Sequence, residues 1–216
     1  MSGSAPGVKA IPGAPSAGSA IGGCRRARQN DRVPEDREAA TPVVYVVAGP
    51  AGSGKSTLGR SLAKVTGAVL VDQDIATNPL MDQIARLVGA GDDLDHPALR
   101  GPVRQARYQC IIDVAVDNRR LGRSVVLVAP FTGEVTDPAR WLALAAQLAP
   151  ARVVLVWVTV PPEVAWERRQ RRNLARDRAA TSPPPPLPEP AVAFVAADGA
   201  LDGMVEAARV AALIRG

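Results

Sequence analysis

The sequence predicts an α/β fold, a five-stranded parallel sheet with helices on both faces, and three observations carry that prediction. Five short runs dense in valine, leucine and alanine lack the alternation of a half-exposed strand, which is the pattern of strands buried on both faces. Helix-length segments separate these runs, and strand–helix–strand repetition builds parallel sheets. Between the first run and the first helical segment stands a glycine-rich loop, Gly49-Pro50-Ala51-Gly52-Ser53-Gly54-Lys55-Ser56-Thr57.

The 216 residues suffice for one domain with a little left over. Residues 1–41 are rich in Gly, Ser, Ala and Pro, then turn charged, and nothing there can bury a face. They are expected to form a disordered tail, with the folded domain over 42–216. The first strand is expected at Val43–Ala48, where β-branched residues run without interruption, and the first helix at Lys55–Val65. A second strand, Ala68–Val71, precedes helices at Leu80–Val88 and Ala98–Leu121. The third strand, Ser124–Ala129, is followed by a helix at Pro138–Leu148. The fourth, Arg152–Thr159, leads into a helix at Pro162–Arg176. A fifth strand at Ala191–Ala196 and a helix at Leu201–Ile214 complete the series. Between 183 and 190 the run Pro183–Pro186 permits neither helix nor inner strand. It predicts an exposed polyproline-II connection, read as a spacer, with a docking site for a proline-reading partner as the alternative.

Apolar residues make up 47% of the chain, but with Trp 3, Tyr 2 and Phe 2 the core must be filled by aliphatic side chains. Positive charge is almost all arginine; Lys9, Lys55 and Lys64 are the lysines. That skew, alongside abundant Ala, Gly and Pro, reads as compositional bias, so the pI of 9.9 does not argue for a nucleic-acid partner. Cys24 and Cys110 have no C-x-x-C spacing, which suggests neither a disulfide framework nor a zinc site. A reducing cytoplasm is the simplest setting. No apolar run reaches the roughly 18 residues of a membrane span, and the N-terminus lacks the apolar core of a signal peptide.

The loop reads as a complete G-x-x-x-x-G-K-[ST] motif in the strand–loop–helix setting that the motif requires. Glycines 49, 52 and 54 allow backbone conformations that side chains forbid, so successive N–H groups can converge on a phosphate at the positive end of a helix. Lys55 would pair with the β- and γ-phosphates of a nucleotide, and Ser56 would offer a hydroxyl to Mg²⁺. The second strand runs into Val71-Asp72-Gln73-Asp74, at the strand ends where ligands of open parallel sheets sit. One carboxylate could accept the proton of an attacking hydroxyl while the other holds Mg²⁺. In extended chain 72 and 74 project to the same side. The alternative is a turn, or a carboxylate that caps the next helix.

Gly49–Thr57 followed by Val71-Asp72-Gln73-Asp74 resembles the P-loop small-molecule kinases, among them gluconate and adenylylsulfate kinases, within the AAA-type P-loop NTPases. Those kinases carry Leu-Asp-Gly-Asp at the end of the second strand; here Gln73 replaces the glycine. Chloramphenicol phosphotransferase, the zeta toxins and polynucleotide 5′-kinases belong to the same broad group. The resemblance implies a three-layer P-loop fold, ATP and Mg²⁺ as cofactors, and Asp74 as the base towards the acceptor. Asp72 is assigned to the metal with Ser56.

Leu99-Arg100-Gly101-Pro102-Val103-Arg104-Gln105-Ala106-Arg107-Tyr108 stands where the resembling kinases line their acceptor pocket. Arg100 and Arg104 could bind an anionic or polyhydroxyl substrate, and Tyr108 could add a stacking or hydrogen-bonding surface; a solvated basic face is the alternative. Arg104, Arg107 and Tyr108 can share one helix face. His96, the sole histidine, cannot build a metal cluster. After the third strand Ala129 and Pro130 stand where many P-loop proteins place an aspartate, which disfavours motor-type ATPases. Phe131, Thr132 and Glu134 are expected to face the cleft, with Thr132 or Glu134 touching the acceptor. Arg168–Arg178 holds six arginines in eleven positions. The readings are a solvated helix, an RNA-binding patch, or a lid over about 163–182 whose guanidiniums clamp phosphates. The resemblance favours the lid, with Arg168, Arg171 and Arg172 as the clamp. Residues 194–199 stand where related folds pack a loop against adenine, with Asp198 and Gly199 as backbone contacts.

The combined expectation is an ATP-dependent kinase acting on a small-molecule hydroxyl. The alternatives are a polynucleotide 5′-hydroxyl kinase, or a nucleotide-binding switch or ATPase without phosphotransfer.

Overall fold

The computed structural model describes residues 41–91, 96–172, 182–183 and 187–216. The tail expected over 1–41, save its last residue, lies outside them, as do Asp92, Asp93 and Asp95, the lid between 173 and 181, and residues 184–186. Among the described residues no helix is long and apolar enough to cross a membrane.

Strands β1 (Val43–Ala48), β2 (Val69–Asp72), β3 (Val125–Val128), β4 (Arg152–Thr159) and β5 (Phe194–Asp198) form one sheet. It is parallel throughout, in the order β2-β3-β1-β4-β5. Among the described residues seven helices accompany them: α1 (Lys55–Thr66), α2 (Gln73–Leu87), α3 (Pro102–Arg120), α4 (Thr132–Thr136), α5 (Pro138–Leu148), α6 (Pro162–Arg172) and α7 (Gly203–Arg215). A 3₁₀ turn, Pro97–Leu99, precedes α3.

The unbroken valine runs do bury both faces. Val44, Val46 and Ala48 of β1 pack with Ile111, Ile112 and Ala115 of α3 and Leu144 and Leu148 of α5. Their neighbours Tyr45 and Val47 pack the other way, against Leu58 and Leu62 of α1 and Ala207, Val210 and Ile214 of α7. Each such fully buried aliphatic contributes about 1.5–3 kcal/mol, and the sheet is sandwiched. α1 lies so close to β3 that a Cβ on Gly59 would sit 2.4 Å from Val128 Cγ2.

Several boundaries differ from the sequence reading, each for a local reason. α2 begins directly after β2 because Asp72 caps it: Asp72 Oδ1 accepts from the N–H groups of Asp74 at 3.0 Å and Ile75 at 3.5 Å. The helix runs through Pro79 rather than starting at Leu80. Asp72 and Asp74 therefore meet across a strand–helix junction, not along extended chain. The segment expected as one helix from Ala98 divides where Gly101, at φ 69°, turns the chain before Pro102 opens α3. β5 begins at Phe194 because the Ala191 N–H goes to the Val135 carbonyl at 2.8 Å instead of to the sheet. Asp202 caps α7, accepting from Met204 and Val205 N–H at 2.9 and 3.1 Å, so Leu201 stays in the preceding turn. The short helix α4 has no counterpart in the sequence reading.

Candidate active site

β1 ends at Ala48, and the next residues leave the sheet between β3 and β4, its two hydrogen-bonded neighbours. The loop packs too tightly for side chains at its glycines. A Cβ at Gly49 would lie 2.3 Å from the Val158 carbonyl oxygen, and one at Gly52 would lie 2.4 Å from that of Ala165. Gly49, Gly52 and Gly54 all have positive φ, 148°, 85° and 97°. Gly54 is the N-cap of α1, yet no side chain caps the helix and no acidic residue stands in its first turn. The N–H groups of that turn are left to whatever anion enters. Lys55 Nζ donates to the Pro50 carbonyl at 2.7 Å, which folds the ammonium over the loop.

A cleft of about 1110 Å³ opens above the C-terminal ends of the strands. Along one wall stand Gly49, Pro50, Ala51, Gly52, Gly54, Lys55, Ser56 and Thr57. Ser53 is the predicted loop residue that does not reach the wall. It is fully buried behind it, with its N–H donated to the Pro50 carbonyl at 3.2 Å and its hydroxyl unpartnered. Asp72, Gln73 and Asp74 line the same cleft, as do Arg100, Arg104, Tyr108, Thr132, Arg168, Arg171 and Arg172. The chain thus brings Gly49–Thr57 (Ser53 apart), Asp72–Asp74, Arg100, Arg104, Tyr108, Thr132, Arg168, Arg171 and Arg172 to one cleft from five separate segments, whereas Phe131, Glu134 and Asp198 do not line it.

The individual contacts are more specific than the sequence allowed. One oxygen of buried Asp72 is committed to capping α2, which leaves the other for the cleft. Asp74, half-exposed, accepts from Arg107 Nη2 at 3.0 Å. Arg107 is itself held by Thr77 Oγ1 at 2.8 Å and Asn78 Oδ1 at 2.7 Å, so α3 grips the first two turns of α2. Tyr108 is a buried strut: its hydroxyl accepts from the Phe131 N–H at 3.2 Å, and its ring meets Phe131 edge-on at 5.2 Å. Burial pushes the phenol above its ordinary value, against the pull of Arg104, which lies 5.8 Å over the ring.

Phe131 corrects an expectation. Fully buried, with φ 45°, it faces the core and not the cleft. Glu134 lies beside the cleft, in a shallower hollow of about 590 Å³ that it shares with Arg104, Thr132 and Arg140. On α6, Arg168 Nη1 donates to the carbonyls of Gly199 at 2.9 Å and Gly52 at 3.5 Å. It staples the glycine-rich loop to the turn after β5. Arg171 is paired with Glu167 at 2.6 Å on the exposed side of the same helix.

The sequence reading missed part of the wall. Met81, Leu99, Leu187 and Leu201 give it an apolar surface. Leu187 belongs to the proline-rich connection read as a spacer. Nothing local marks these residues, because a leucine becomes a wall residue only when distant segments converge.

Comparison with known proteins bears on the fold and the family. A shikimate kinase from Halorhodospira halophila is 31% identical over 128 residues, 59% of this chain. The match spans 63% of that relative's length, a little under two thirds. Among solved structures, one from Chloroflexus aurantiacus j-10-fl superposes with a TM-score of 0.61 at 18% identity, covering 81% of this chain and 94% of that one. Mycobacterium tuberculosis APS kinase CysC, solved in complex with AMPPNP and APS, gives 0.53 at 19% identity, covering 82% and 98%. At such identities these likenesses show the fold, a three-layer P-loop fold. The AAA domain profile matches residues 44–183, a stretch that holds the glycine-rich loop, the acidic strand end and the arginines of α6. By that match, and with the motif folded as its chemistry requires, the chain belongs to the AAA domain family.

Proposed function

We propose that this protein is an ATP-dependent kinase that transfers the γ-phosphoryl group to a hydroxyl of a small molecule. One observation carries the reading: Lys55 of the glycine-rich loop and the half-exposed carboxylate of Asp74 line one cleft. An anion cradle facing a carboxylate that can take a proton from an alcohol is what phosphoryl transfer to an alcohol needs.

The residues fit a triphosphate. The glycine conformations leave room for phosphate where a Cβ would clash, and the uncapped first turn of α1 offers N–H donors. They also fit Mg²⁺ in the form nucleotides carry it. Among the described residues no group of three or more His, Cys, Asp and Glu could hold a metal ion. Ser56 and the free oxygen of Asp72 make a sparse oxygen set, suited to an ion that keeps its waters and phosphate ligands. Bound there, Mg²⁺ would neutralise charge on the phosphates.

The protein's own part is positioning and electrostatics. Lys55 would move from the Pro50 carbonyl to the phosphates. Arg172 and Arg171 would bring positive charge to the transferred group as α6 closes, while Arg168 keeps the base of that helix on the loop. Asp74 would accept the proton of the acceptor hydroxyl, with Arg107 fixing its orientation. Arg100 and Arg104 would bind an anionic or polar portion of the acceptor, against the apolar surface of Met81 and Leu99.

The relative's name and the APS kinase structure make shikimate and adenylylsulfate the first acceptors to try, with gluconate beside them. The test is ATP consumption and mass-detected phosphorylated product over a panel of hydroxylated metabolites. A phosphorylated small molecule, formed only with ATP and Mg²⁺, is the expected result. ATP binding without any phosphorylated product across the panel would sink the reading.

A further inference from the structure

Outside every motif, the first turn of α7 holds a buried carboxylate. Glu206 is 1% exposed. A buried charge is costly unless partnered, and both its oxygens are used. Oε1 accepts from the Asp198 N–H at 2.8 Å. Arg209 donates Nε to Oε2 at 2.8 Å and Nη2 to Oε1 at 2.5 Å, and the same Nη2 reaches the Ala196 carbonyl at 2.6 Å. The pair therefore grips the end of β5 at two backbone points, 196 and 198.

Immediately beyond β5, a turn closes the cleft at its end. Asp198 Oδ1 accepts from the Ala200 N–H at 2.8 Å, and the Gly199 N–H donates to the Thr159 carbonyl at 2.9 Å. The Gly199 carbonyl receives Arg168. Gly199 lies against the glycine-rich loop so closely that a Cβ there would be 1.7 Å from the Ser53 carbonyl oxygen. Beyond it Leu201, 53% exposed, joins Gly199 on the cleft wall. A displacement at Asp198 would be felt at once where the turn meets the loop.

We propose that Glu206, with Arg209, is a positioning residue of the nucleotide site: it sets the Asp198–Leu201 turn against the glycine-rich loop so that the turn covers the nucleotide's base. It touches no ligand atom. The proposal rests on the reading that this cleft binds ATP, and not on phosphoryl transfer.

The test separates base from phosphates. Wild type and Glu206→Gln are titrated by calorimetry with Mg·ATP and with Mg·tripolyphosphate, which carries the phosphates and no base. The expected result is a loss of about tenfold or more in ATP affinity, the scale of one charge-assisted contact, with tripolyphosphate affinity unchanged within about twofold on the same scale. Equal losses for both probes, or undiminished ATP binding, overturn the positioning role. A wild type that binds tripolyphosphate and ATP equally overturns it too, and one that binds neither removes the nucleotide reading with it. Should the variant fail to fold, amide hydrogen exchange on wild type decides. ATP is expected to protect the amides of 198–201 where tripolyphosphate does not, and equal protection, or none, refutes the proposal.

Discussion

Replacing Asp74 by asparagine isolates one proton acceptor while leaving its surroundings almost unchanged. The side chain is 52% exposed and meets Arg107 at 3.0 Å. An exposed ion pair of this kind contributes about 0–1 kcal/mol. The asparagine oxygen can still accept from Arg107, which also keeps Thr77 and Asn78. Stability should therefore fall by no more than about 1 kcal/mol. The loop amides and Lys55 are untouched, so ATP affinity should hold. Loss of a general base costs about 10²–10⁴-fold in rate, which at about 1.36 kcal/mol per decade raises the barrier by roughly 2.7–5.4 kcal/mol. The assay is kcat by coupled ADP release with the acceptor found in the metabolite screen, alongside ATP titration and urea unfolding. A variant that binds ATP normally and loses no more than about threefold in kcat, far short of that range, would refute the role given to Asp74.

Other outcomes rest on the same contacts. Gly52→Ala places a Cβ 2.4 Å from the Ala165 carbonyl oxygen at φ 85°; the loop must shift, and the rise in Tm that ATP gives the wild type should vanish. An undiminished rise would show that the loop tolerates the side chain. Tyr108→Phe keeps the edge-on ring contact but leaves the Phe131 N–H without its acceptor. It should cost about 1–3 kcal/mol in urea unfolding, and no loss would mean that the N–H finds another partner. Hydrogen bonding from Arg209 holds the Glu206 carboxyl below its ordinary value against the opposing effect of burial, with the Asp198 N–H assisting. Its stabilisation is thus present above the ordinary glutamate range and lost as pH falls through the lower folded value. The stability gap between wild type and Glu206→Gln should narrow between about pH 5 and pH 3, and parallel acid-unfolding curves would contradict it.

Legibility in the sequence depends on whether the determining contacts are local. β1 and β4 fall where their valine runs place them, since a strand buried on both faces leaves no ambiguity of face. The glycine-rich loop is legible for the same reason: its conformation is written in consecutive residues. The start of α2 is hidden because proline within a helix argues against it, while the Asp72 cap that begins the helix reads equally well as chemistry. Phe131 is misdirected because a buried aromatic in a left-handed conformation has no sequence signature; only Tyr108, 23 residues away, explains it. The Glu206–Arg209 pair looks like any surface i, i+3 pair until the end of β5 is seen to need it.

The sheet also acts as a partition with an evolutionary consequence. Tyr108 and Phe131, which would prop the proposed acceptor wall, root in the layer on one side of it, whereas α1 and α7, which flank the glycine-rich loop and the turn after β5, root in the layer on the other. On the proposed reading, drift in the acceptor wall would fall within its own layer, with the parallel sheet standing between it and the nucleotide half. On the proposed kinase reading, a lineage could then change the alcohol it recognises without rebuilding its grip on the phosphate donor.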